Sequence, residues 1–138
     1  MVQLTQQFEF SAAHRLHNSE LSEQENRDLF GKCNNPHGHG HNYLVTISLE
    51  GAAEEKQPFG SLDQFETLVK KEVIDRLDHR HLNVEVSEFK ELNPTVENIA
   101  MVIWDYLEKP ILELKSGVRL SNVRVHETAK TWADFCRR

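Results

Sequence analysis

The stretch His39-Gly40-His41-Asn42-Tyr43-Leu44-Val45-Thr46-Ile47-Ser48-Leu49 decides the fold class. His39, His41, Tyr43, Val45, Ile47 and Leu49 fall on one parity, and Asn42, Leu44, Thr46 and Ser48 on the other. Successive side chains of a strand point to opposite faces, so the alternation predicts a strand with one apolar face. The same parity sets two imidazoles side by side at its start. Upstream, Leu4, Gln6, Phe8 and Phe10 alternate with Gln3, Thr5, Gln7 and Glu9, which predicts a first strand leading to His14. Between the two, the polar run His17 to Asp28 and then Gly31-Lys32-Cys33-Asn34-Asn35-Pro36 read as one long loop.

Downstream, a charged connector from Gly51 to Gly60 gives way to Ser61 and Gln64, which have capping-box spacing. Leu62, Phe65, Leu68, Val69 and Val73 follow at intervals of three and four, predicting a helix to about Ile74. Asn93-Pro94-Thr95 is a second start signal, followed by Val96, Ile99, Ala100, Ile103 and Leu107 at helical spacing. Val118, Leu120, Val123 and Val125 form an extended segment after Gly117, and Thr131 to Phe135 a short last strand. The expected fold is α+β: a four-stranded antiparallel sheet with two helices on one face, as a single domain spanning residues 1–138. A sheet this small leaves open edges that subunit association would cap.

Composition limits the function. Sixteen Lys and Arg against 22 Asp and Glu give a net charge of −6, and the basic residues are scattered, so nucleic acid is not an expected partner. The longest apolar stretches, Tyr43 to Leu49 and Ile99 to Trp104, are too short to cross a bilayer, so no membrane partner is expected. Met1-Val2-Gln3-Leu4-Thr5 begins no secretory signal, and the expected compartment is the cytoplasm. There Cys33 reads as a reactive or metal-linked thiol, and Cys136 as a terminal residue without a special role.

Chemistry concentrates in His37-Gly38-His39-Gly40-His41. Residues two apart on a strand share a side, so neighbouring imidazoles here can converge on one ion, and zinc suits three protein ligands with an open fourth position. Which three histidines serve is left open by the spacing. His14, at the end of the first strand, would lie beside His39 and His41 if the two strands are neighbours. Cys33 is either a ligand of a closed Cys/His zinc site or a base beside an open one. Asp78-His79 pairs a carboxylate with an imidazole, as a proton shuttle requires, although such groups also occur as solvated helix-end residues. Glu127 and Glu97 offer carboxylates able to accept two parallel N–H bonds from an aminopyrimidine edge. Glu97 equally suits the start of a helix without any ligand.

Five stretches together resemble the 6-pyruvoyl-tetrahydropterin synthase family, which includes the bacterial 6-carboxy-tetrahydropterin synthases of queuosine synthesis. They are Phe10-Ser11-Ala12-Ala13-His14-Arg15-Leu16, Phe30 to Tyr43, Leu77-Asp78-His79, Pro94-Thr95-Val96-Glu97-Asn98 and His126-Glu127-Thr128. The resemblance implies that His14, His39 and His41 hold zinc, with His37 an extra histidine. It makes Cys33 the general base, Asp78 and His79 a relay, and Glu127, Glu97 and Thr95 the residues that bind substrate. It also implies the tunnelling fold, a barrel built by several subunits, and a homohexamer of two trimers with sites between subunits. The chain departs from its relatives at Phe59-Gly60-Ser61-Leu62, where they often carry an Asp before the first helix.

The implied substrate is 7,8-dihydroneopterin triphosphate, and the implied product 6-pyruvoyl-tetrahydropterin with triphosphate expelled. The 6-carboxy product, with release of acetaldehyde, is the alternative. The longer cysteine loop, with five residues between Cys33 and His39, resembles the pyruvoyl-forming branch. Lys32, Arg15 and Arg80 are the residues suggested for the triphosphate. A non-enzymatic domain with a closed structural Cys/His zinc site is the rival from another class.

Overall fold

The computed structural model describes residues 1–137, so Arg138, the last residue of the expected domain, lies outside the described residues. Two long strands, β1 (Val2–His14) and β2 (His39–Gly51), pair antiparallel along their whole length, from Val2 with Gly51 to His14 with His39. That register places Phe10 against Tyr43, Ala12 against His41 and His14 against His39, all on one face. The face is buried, with Tyr43, Val45 and Ile47 fully enclosed.

The loop read between them contains α1 (Glu23–Phe30). The Ser22 hydroxyl accepts a bond from the Glu25 amide while the Glu25 carboxylate accepts one from the Ser22 amide, a complete capping box hidden within the polar run. Because α1 buries only Asn26, it has no apolar stripe for periodicity to reveal. The next helix starts as expected, Ser61 capping α2 (Leu62–Val69) through the Gln64 amide. Phe65, Val69 and Val73 are buried, but Leu62, expected on that stripe, is 46% exposed. The helix continues through a π-helical turn (Lys70–Ile74) into α3 (Asp75–Leu77).

The sheet corrects the expected architecture. It is mixed and five-stranded, because the two-residue strand β3 (Arg80–His81) pairs parallel with Ala12 and Ala13 of β1. A strand of two residues carries no alternation to read. The order is β3-β1-β2-β4-β5, with β4 (Arg119–Thr128) and β5 (Thr131–Phe135) antiparallel to their neighbours. After β3 come the short α4 (Leu82–Glu85) and then α5 (Val96–Leu114). Thr95 caps α5 through the Asn98 amide, and Ile99, Ala100, Ile103, Leu107 and Ile111 fill the core. The helix runs past Pro110, whose missing N–H removes one bond of the ladder, because Ile111 beyond it is fully buried.

Candidate metal centre

The site lies at the end of β1 and the start of β2, where the buried face of the sheet changes from apolar to imidazole. Pairing of His14 with His39 and of Ala12 with His41 gathers three rings on one side. Ring centroids are 4.2 Å apart for His39 and His41, 4.7 Å for His14 and His41, and 5.3 Å for His14 and His39. The His39 and His41 Nε2 atoms stand 3.0 Å apart. Cys33 arrives from a 3-10 turn (Gly31–Asn34) and places its Sγ 3.0 Å from His39 Nε2. The donor atoms of His14, Cys33, His39 and His41 all lie within 4.8 Å of one another, a cluster that can hold a metal ion.

The detailed geometry fits a metal. His14 is fully buried, its Nδ1 lies 2.8 Å from the Pro94 carbonyl oxygen, and its Nε2 is enclosed with no hydrogen-bond partner among the described residues. A carbonyl can only accept, so Nδ1 carries the proton and Nε2 presents a lone pair toward the other two rings. Burial holds His14 and His41 below the ordinary histidine range, which keeps them in the neutral form a metal requires. An unpaired buried nitrogen in a converging donor set is what a cation would satisfy.

Glu127 completes the cluster from β4. The β4–β5 register slips between His126 and Thr128, and a bulge at that place leaves Glu127 as the extra residue. Its Oε1 lies 3.1 Å from His41 Nε2, 4.0 Å from His14 Nε2 and 3.7 Å from Cys33 Sγ. Burial first, and the Glu127 carboxylate second, push the Cys33 thiol up to about 11. A cation among the histidines acts in the opposite sense, favouring thiolate.

Asp78 and His79 are not members of the four-residue donor cluster. Asp78 Oδ1 accepts the Ser11 amide at 2.9 Å, and Asp78 Oδ2 meets His79 Nδ1 at 2.9 Å. The Ser11 amide, and then the His79 contacts, hold the Asp78 carboxyl below the usual carboxylate range. His79 adopts a left-handed backbone (φ 59°) and its side chain is 82% exposed. It lines a cavity of about 410 Å³ with Ser11, Asn42 and Arg80, and His41 of the donor cluster reaches the same cavity. Among the described residues no hydrogen bond joins this dyad to Cys33. Glu97 is exposed in the first turn of α5, and Thr95 serves as its cap. His37 is exposed and stands outside the four-residue cluster.

Two neighbours of the site went unread in the sequence. Tyr43, which reads there only as a strand residue, brings its hydroxyl to 3.1 Å from His14 Nδ1. Pro94, which reads there as a helix-start signal, supplies the carbonyl that fixes the His14 tautomer. Their even spacing on β2 links Tyr43 to His41, but nothing in the sequence links Pro94 to His14, 80 residues away.

Fold and site together define the class: an α+β domain with a three-histidine, one-cysteine metal site at the end of its sheet. The chain belongs to the 6-pyruvoyl tetrahydropterin synthase family, whose model matches residues 3–138. It is 41% identical over 128 residues to the 6-pyruvoyl tetrahydrobiopterin synthase of Drosophila melanogaster, covering 92% of this chain and 74% of that one. The Homo sapiens protein of the same name is 40% identical over 127 residues, 91% of this chain and 85% of that one. The solved Caenorhabditis elegans 6-pyruvoyl tetrahydropterin synthase superposes with a TM-score of 0.84 at 33% identity, covering 99% of this chain and 96% of that one.

Proposed function

We propose that this chain converts 7,8-dihydroneopterin triphosphate to 6-pyruvoyl-tetrahydropterin with loss of triphosphate, using zinc held by His14, His39 and His41. The observation that carries the reading is the orphaned, buried His14 Nε2 converging with two further imidazoles beside a thiol and a carboxylate. Zinc bound there would act as a Lewis acid toward the side-chain oxygens of the substrate. Cys33 Sγ is the base that removes a side-chain proton. Glu127 accepts the paired N–H groups of the aminopyrimidine edge, aided by Glu97 and Thr95. Oxidation of the side chain balances reduction of the pterin ring, so no external reductant is consumed.

The His79–Asp78 pair has the geometry of a shuttle, since Asp78 holds Nδ1 and leaves Nε2 free to carry a proton. That no hydrogen bond among the described residues joins it to Cys33 supports a site completed by a second copy, whose dyad would reach the first copy's thiol. A homohexamer of two trimers closed into a barrel meets that need. It would also cover the exposed edges at β3 and β5.

The test is incubation of purified protein with 7,8-dihydroneopterin triphosphate, with products identified by mass. Triphosphate and 6-pyruvoyl-tetrahydropterin are expected; release of acetaldehyde would assign the 6-carboxy reaction instead. Cys33→Ala is expected to abolish turnover and keep zinc. Loss of zinc on that substitution would make Cys33 a ligand and favour the closed structural site.

A further inference from the structure

The segment Arg15–Asn18, directly after His14, belongs to no helix or strand. Its backbone polar groups must still find partners where they are buried. Asparagine side chains from four separate places supply them. Asn83 accepts the Arg15 amide at 2.7 Å and donates to the Arg15 carbonyl at 2.8 Å. Asn93 accepts the His17 amide at 3.2 Å, and the fully buried Asn26 accepts the Asn18 amide at 2.7 Å. Asn34 donates to the Leu16 carbonyl at 2.7 Å and lies 3.0 Å from His17 Nδ1. A carboxamide is the side chain suited to this work, since it donates and accepts without charge.

Asn34 differs from the other three because it adjoins the reactive thiol. It is the buried residue of the turn Gly31–Asn34, at 6% exposure, while Gly31 and Lys32 within the turn and Asn35 and Pro36 after it are exposed. On the two sides of the thiol, the Leu16 amide donates to the Cys33 carbonyl at 2.6 Å and Arg15 Nε to the Asn34 carbonyl at 3.2 Å. The turn is therefore stitched to the residues that follow His14 by bonds centred on Cys33 and Asn34.

We propose that Asn34 is a positioning residue: its buried carboxamide locks the cysteine turn onto the Leu16–His17 backbone and so fixes Cys33 Sγ beside the histidine cluster. The proposal rests on the reading of Cys33 as the reactive thiol. Misplacing a reacting group by about 1 Å can cost on the order of a hundredfold in rate. Asn34→Asp is the sharpest variant, because it keeps the shape but replaces the donor to the Leu16 carbonyl with an acceptor.

The experiment uses metal-loaded protein in a Cys136→Ser background, where Cys33 is the remaining cysteine. The iodoacetamide labelling rate, the zinc content, and kcat and KM with 7,8-dihydroneopterin triphosphate are measured for each variant. For Asn34→Asp, labelling is expected to rise and kcat to fall by about tenfold or more, with zinc retained and KM changed by less than about twofold. Unchanged labelling and kcat overturn the proposal, as does a rise in KM alone, which would make Asn34 a substrate contact. Loss of zinc overturns it too. If Asn34→Asp does not fold, Arg15→Met, which removes the side-chain bond to the Asn34 carbonyl, is expected to raise labelling in the absence of substrate, and no rise overturns the proposal. A parent protein without turnover but with faster labelling in Asn34→Asp would defeat the proposed function and leave the positioning role standing.

Discussion

His14 shows how much chemistry one buried side chain can specify. Enclosing an imidazole nitrogen without a partner is costly, and His39, His41 and Cys33 are arranged to share a cation with it. His39→Ala is expected to lose both metal and turnover, measured as zinc per chain and product formed. Tyr43 approaches the side of His14 already committed to Pro94. Tyr43→Phe is therefore expected to weaken zinc by about tenfold, the usual scale for an outer partner, read by titration against a competing chelator. Unchanged affinity would reduce Tyr43 to packing against Phe10, on which its ring stacks at 5.0 Å. Gly38 is also fixed by the site: at φ 75° a Cβ would come within 2.7 Å of His81 Nε2 and 2.9 Å of the His14 carbonyl. Any side chain there would press on the backbone of a metal-site residue.

Elements set the precision with which those residues meet. The β1–β2 pairing runs without a slip, and a register error of one residue in β2 would turn His39 and His41 to the opposite face from His14. Helix α5 carries part of the site at its first turn, because its cap Thr95 follows the carbonyl that orients His14. Thr95→Ala is expected to cost about 1 kcal/mol of stability by urea unfolding. A loss of activity beyond that destabilisation would support the substrate role proposed for Thr95. Ile103→Ala, at the middle of the same helix and fully buried, is expected to cost about 2–5 kcal/mol in the same measurement without displacing zinc.

At the scale of the molecule, charge and assembly matter more than single contacts. Asp134 is held below the usual carboxylate range by the bidentate Arg124 pair, with bonds of 2.7 and 2.9 Å. A depressed folded-state pKa adds stability that is present above the unfolded value of about 3.9 and lost as pH falls through the lower folded value. Asp134→Asn is therefore expected to flatten the acid limb of an unfolding profile below about pH 4, and only modestly, since the pair is partly exposed. No helix among the described residues is long and apolar enough to cross a membrane. The four-strand, two-helix frame and the His39/His41 pair were legible in the chain because strands and helices write their buried faces as periods of two and of three to four. Alpha-1, β3 and the bulge at Glu127 were not, since a polar helix, a two-residue strand and a register slip leave no period. The sequence by itself therefore determined which residues could share a face and which could ligate a metal. Only the tertiary structure decided that Pro94 sets the His14 tautomer, that Glu127 adjoins His41 and Cys33, and that no hydrogen bond among the described residues joins the Asp78–His79 pair to the thiol. The first two depend on contacts between residues 80 to 94 positions apart, and long-range pairing is fixed by packing rather than by any local pattern.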